Sequence, residues 1–255
     1  MRSIFVLAGK DLRNLFLSPL FYVISGLCTV VFTLIYFLGL REFAAASQAN
    51  IIQTGENTAN LHFVVFAKHI SAVNFVMLCA VSAMSMRLFT EEKKNNTMAL
   101  LLTSPITATQ ITLGKFLAAL IGTWAIVAIS FLYPLSLRMF TEIQWAPLIS
   151  SYIVLFLLTG CYAAIGMFAS SLTESSVITV IMAFIFNMML WFVGAVSDAT
   201  TEPWLTKTFE QLNVGIHFMN FIRGSVSVSG FAYFLSVMFL MTFLTQRVVE
   251  SNRWR

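Results

Sequence analysis

Of 255 residues, 58% are hydrophobic and only 10% are charged, with 25 phenylalanines and a formal net charge of +4. A water-soluble domain carries about 25% charged residues to cover its surface, so this composition excludes an ordinary soluble fold and points to lipid as the solvent. The charge balance gives no sign of a nucleic-acid partner, and Cys28, Cys79 and Cys161 lie singly in apolar runs without metal-ligand spacing.

The chain opens with a segment, 3–18, in which positions 4, 5, 8, 12, 15 and 16 are apolar and share one helical face, with Lys10, Arg13 and Asn14 opposite. This pattern predicts an amphipathic helix in the membrane interface; the alternative is an extension of the first span. Ser18-Pro19 breaks it. A spanning helix needs about 20 apolar residues. Six stretches meet that requirement: 20–40, 67–86, 113–137, 148–170, 177–196 and 231–248. The fold class is therefore an all-α membrane protein of about six transmembrane helices. The polar segment 41–60 reads as a flexible outer loop. Residues 197–230 mix Trp204, Phe209, Phe218 and Phe221 with polar residues, which predicts short helices at or dipping into the outer interface. Placing the N-terminus in the cytoplasm puts ten of the 15 basic residues inside, which predicts that both termini are cytoplasmic.

Chemistry-bearing motifs are mostly absent. Gly9-Lys10 and Gly114-Lys115 lack the remainder of a phosphate-binding loop, so no nucleotide site is expected in this chain. Lys68 and His69 near the outer end of the second span read as snorkelling to headgroups, and Asn74 and Asn187 as hydrogen-bonding between helices. Gly114 with Ala118 and Gly160 with Ala164 mark close helix packing. The strongest signal is the segment 87–107. Four charges, Glu91, Glu92, Lys93 and Lys94, precede Asn96, a capping Thr97 and a short apolar helix that Ser104-Pro105 ends. Met98, Leu101 and Leu102 share one face of that helix, which either seats in the groove of a soluble partner or belongs to an ordinary solvated loop.

The run Glu91-Glu92-Lys93-Lys94-Asn95-Asn96-Thr97 through Ser104-Pro105-Ile106 resembles the first cytoplasmic loop of ABC-2-type transporter permeases. Lys10-Asp11-Leu12-Arg13 with Ser18-Pro19-Leu20, Ser170 to Glu174, and His217-Phe218 through Gly224 are similar to further family segments, in order along the chain. The nearest branch is the gliding-motility GldF-like group, with NosY-like relatives. Asn96 and Ala99 stand where the family favours Gly and Glu, and Ser225 to Ser227 lie where an acidic residue is common. The resemblance implies a bacterial inner-membrane permease subunit that pairs with a second copy or a homologous permease. A separate ABC ATPase would hold the ATP and Mg, with no cofactor in this chain. Coupling would run through 87–107 and a smaller contact at Thr173 and Glu174, while Lys10 and Arg13 brace the ATPase or anionic lipid. A GldG-like membrane protein with a large extracytoplasmic domain is the expected companion. A non-transporting, mechanically coupled subunit and an intramembrane lipid enzyme are the alternatives.

Overall fold

A computed structural model describes residues 2–54, 60–95, 97–98, 106–199 and 203–251, all helix and connecting turn with no strand. The elements are α1 (Arg2–Leu17), α2 (Pro19–Thr54), a π turn (His62–Phe66) running into α3 (Ala67–Ser85), and the short α4 (Thr90–Lys94). They continue with α5 (Ala108–Ser130), α6 (Leu132–Leu137), α7 (Trp145–Leu172), α8 (Ser176–Ala199), α9 (Pro203–Leu212), α10 (Val214–Ile222) and α11 (Val228–Ser251). Among the described residues six helical segments are long and apolar enough to cross a membrane, each overlapping one predicted stretch. Successive spans alternate in direction. One end of the bundle, the near end, therefore carries α1, α4, the 173–175 turn and the close of α11. The far end carries the π turn, α6, α9 and α10.

α7 is the central helix, largely buried from Leu148 to Ser171, whereas α2, α8 and α11 each keep an exposed apolar face of the kind lipid covers. Small residues let its neighbours approach. Gly160 lies against Met238 of α11 and Leu120 of α5, and Gly166 lies against Ser85 of α3 so closely that a Cβ there would sit 2.4 Å from Ser85 Oγ. Asn74 of α3 accepts from the Tyr162 hydroxyl (3.0 Å), which accepts from Trp191 Nε1 (2.7 Å). Asn187 donates to Ser82 Oγ (3.1 Å), so both asparagines bond across helices as expected.

Proline chemistry shapes the third span. It runs unbroken from Ala108 to Ser130, turns at Phe131 and resumes as α6. Pro134 has no N–H to offer the Ser130 carbonyl four residues back; the Tyr152 hydroxyl donates to that carbonyl instead, at 2.8 Å.

Three expectations are corrected. Residues 41–54 are not a loop but the continuation of α2, because an Ala- and Gln-rich stretch without Gly or Pro before Gly55 sustains a helix. His69 does not snorkel: one residue from the exposed Lys68, it turns about 100° around α3 and is fully buried beside Phe32, Tyr36 and Tyr133. Lys68 pairs with Glu42 of α2. Finally, α1 is amphipathic as predicted, but its apolar face does not simply lie in lipid. Leu7 packs on Gly114 and Leu15 on Gly122, contacts eight residues apart on both helices, so α1 runs lengthwise along α5. Phe5 and Val6, 70% and 68% exposed, are left for the bilayer.

At the far end, Asn213 separates α9 from α10 and caps the latter, accepting from the Gly215 (2.8 Å) and Ile216 (3.4 Å) amides. α10 dips into the bundle, burying Val214, His217, Phe218, Phe221 and Ile222. Its last carbonyls are satisfied by side chains: His62 Nε2 meets Ile222 O at 2.7 Å and Ser150 Oγ donates to Phe221 O at 2.6 Å. Gly224, with φ +83°, turns the chain away. His217 stacks on Tyr233 and bonds the Gln211 carbonyl, a structural placement.

Candidate functional site

The near end gathers charged and hydroxyl side chains from α1, α4, α5, α7 and α8. Its centre is Lys115, three residues inside the predicted third span and 2% exposed. Its ammonium lies 2.9 Å from Glu92 of α4, 3.2 Å from Asp11 of α1, and over the Phe89 ring at 5.1 Å. A lysine so shielded from water requires partners of this kind. One side chain on α5 thereby ties α1 to the segment that follows α3.

That segment is fixed on its other side by hydroxyls. After α3 ends at Ser85, the Phe89 and Thr90 amides both donate to Ser170 Oγ of α7, at 2.9 and 3.2 Å. Thr90 Oγ1 also lies 2.9 Å from Thr179 Oγ1 of α8. Lys93 Nζ donates to the Ser171 carbonyl. The bonds to Ser170 cap the start of α4, whose Glu91 and Glu92 in the first turn and Lys93 and Lys94 in the last match the helix dipole. Arg87 donates to Ser18 Oγ at the α1–α2 break, and its Nε stands 3.1 Å from Glu91 Oε1 as an ion pair without hydrogen-bond alignment. Thr97 closes the turn on the Glu92 carbonyl, N–H at 2.9 Å and Oγ1 at 3.2 Å. Across the gap, Thr173 Oγ1 accepts from the Ser175 amide in the α7–α8 turn, beside the exposed Glu174.

The residues singled out from sequence divide into three groups. Glu91, Lys94, Thr97, Glu174, Lys10 and Arg13 are exposed at this end, with Lys93 and Thr173 half-buried beside them. Glu92 and Met98 face inward: Glu92 pairs with Lys115, and Met98 is buried in the core at 7% exposure. Asn96, Leu101, Leu102, Ser104 and Pro105, and with them the short apolar helix, lie outside the described residues. Sequence reading misses Lys115 and Asp11 as members of this site, and within 87–107 it singles out neither Arg87 nor Thr90. The signal is present for Lys115, because a charge inside a spanning stretch needs a partner, but the sequence does not say which residue supplies it.

What the arrangement does chemically is hold helices together. Among the described residues no group of three or more His, Cys, Asp and Glu is placed to bind a metal. It joins α1, α3, α4, α5, α7 and α8 at one end of a membrane bundle. No curated protein matches the chain. The profile of the family described as ABC-2 family transporter protein matches residues 5–253, nearly the whole sequence. With six candidate spans and that match over almost every residue, the chain belongs to the ABC-2 transporter family as a membrane permease subunit, which carries no ATPase of its own.

Proposed function

We propose that this permease is half of an exporter-type transmembrane pathway in a bacterial inner membrane. It pairs with a second copy or a homologous permease, and its near end faces the cytoplasm, where a separate ABC ATPase binding ATP and Mg docks on it. The observation that carries this reading is the joining of two sequence-distant segments into one platform. The Phe89–Lys93 stretch is bonded to Ser170 and Ser171, directly before the Thr173–Glu174 turn. A displacement of the ATPase against either segment reaches both. Through Lys115 and Thr179 it also reaches α5, α1 and α8. Nucleotide drives such a change only by favouring one arrangement over another.

The exposed charges Glu91, Lys94 and Glu174 are the docking contacts. Co-purification in mild detergent tests them: wild type should retain an ATPase, and Lys94→Glu with Glu174→Lys should lose most of it while the permease still elutes as a single species. Retention by the double variant would refute the platform.

One feature favours the mechanical alternative, with a GldG-like companion of the GldF-like branch. At 36 residues α2 is about 54 Å long at 1.5 Å per residue, against about 30 Å of hydrocarbon. Its far extension exposes Ile51 (51%) and Ile52 (84%), an apolar tip suited to an extracytoplasmic protein. Transport assays in sealed vesicles separate the readings. ATP-dependent accumulation of a solute supports export. ATP turnover that responds to the companion without solute movement supports the mechanical role.

A further inference from the structure

A cavity of about 120 Å³ opens beside the near-end cluster, under the Ser18 break between α1 and α2. Its polar wall is made by Asp11, Arg87, Glu91, Glu92 and Lys115; its apolar wall by Leu15, Met84 and Leu88. Arg87 and Glu91 form the rim, 37% and 49% exposed, while Lys115, Asp11 and Glu92 are only 2%, 12% and 16% exposed. Leu15, Met84 and Leu88 also line a second, narrow cavity that continues inward to Val81, Ala119 and Ala163. The space is therefore charged at its mouth and mainly apolar at its inner end, where Ser85 and Thr123 are the hydroxyl residues of the lining.

Charge balance decides the class of ligand. Three carboxylates face two cations, so the formal charge of the wall is −1. Lys115 is shared by Asp11 and Glu92, Arg87 faces Glu91, and Glu92 Oε2 accepts no hydrogen bond. An uncompensated carboxylate beside an apolar wall is costly, and one added positive charge removes the imbalance. We infer that this cavity binds a cationic amphiphile: a single ammonium head among Glu91, Glu92 and Asp11, with a short alkyl chain along Leu15, Met84 and Leu88. The site is a property of the permease alone and does not depend on whether an ATPase docks on the same end.

Three probes with the same chain and different charge test it: octylamine, octanol and octanoate at pH 7.5. The full chain, reconstituted in phosphatidylcholine nanodiscs, is labelled with an octylamine derivative carrying a diazirine on its alkyl chain, and adducts are mapped by mass spectrometry. Adducts are expected at Leu15, Met84 or Leu88. Unlabelled octylamine should suppress them at least tenfold more effectively than octanol or octanoate. Glu91→Gln brings the wall to neutrality and should lower labelling about tenfold, while Glu91→Asp, which keeps the charge, restores it. Equal competition by octanol or octanoate, or undiminished labelling of Glu91→Gln, overturns the inference. Because no ATPase is present, that failure would leave the docking platform unaffected.

Discussion

Replacing Lys115 with Met tests the near-end cluster most directly. Met keeps most of the apolar stem and removes the ammonium, which leaves Asp11 and Glu92 facing each other with 12% and 16% exposure. Removing one partner from a buried ion pair costs about 3–5 kcal/mol, because the surviving charge has neither water nor a counter-ion. Here two carboxylates are stranded at once, while Phe89 loses only a cation over its ring, worth about 0.5–2 kcal/mol. The single variant should therefore lose at least two orders of magnitude, roughly, in its folding equilibrium. The triple variant Asp11→Asn, Lys115→Met, Glu92→Gln removes every charge in the cluster and should recover most of that loss, since a neutral replacement of a buried triad is often harmless. Thermal denaturation followed by size-exclusion chromatography in detergent compares wild type, single and triple variants. A single variant as stable as wild type, or a triple variant less stable than the single, would refute the argument that Lys115 bonds α1 to α4.

Three other predictions use the same assay. Gly166→Leu should be severely destabilising, because even a Cβ falls 2.4–2.5 Å from the Ser85 side chain and α3 must move; wild-type behaviour would mean that α3 and α7 are further apart than described. Tyr152→Phe leaves the Ser130 carbonyl without its donor beside Pro134 and should cost about 1–3 kcal/mol, whereas Pro134→Ala in that background should recover part of it by restoring an N–H. Asn213→Ala removes the α10 cap and should cost about 1 kcal/mol, with the protease sensitivity of the 203–222 region rising before global unfolding.

The spans were legible because hydrocarbon imposes one simple demand, a run of apolar residues long enough to cross it. Each of the six helices overlaps its predicted stretch, and the boundaries that moved did so where a different force acts. Residues 41–54 look like loop because they are polar, yet polarity ends a membrane span without ending a helix; the helix is described through Thr54. The kink at Phe131 was readable from Pro134, but the hydroxyl of Tyr152 that compensates for it belongs to another span. The near-end site was half legible. The charge run at Glu91–Lys94 announced itself, while its buried partners did not, since Lys115 lies 23 residues after Glu92 and Asp11 lies 81 residues before it. Periodicity reveals which face of a helix is apolar, not which helix will cover it. That is why α1 reads as interfacial, although Gly114 and Gly122 give Leu7 and Leu15 a protein surface to pack on.

The position of α7 at the centre of the bundle has a consequence for biosynthesis. Asp11, Arg87, Glu92 and Lys115 all lie in the first half of the chain, so the near-end ion cluster can close as soon as α5 has left the ribosome. The helix that fills the middle follows later. The three earliest spans are thus tethered at one end around a vacant axis, with Asn74 and Ser82 of α3 still waiting for Tyr162 of the fourth span and Asn187 of the fifth. An insertion factor that shields α3 from lipid until the fourth and fifth spans arrive would meet the need this order of synthesis creates.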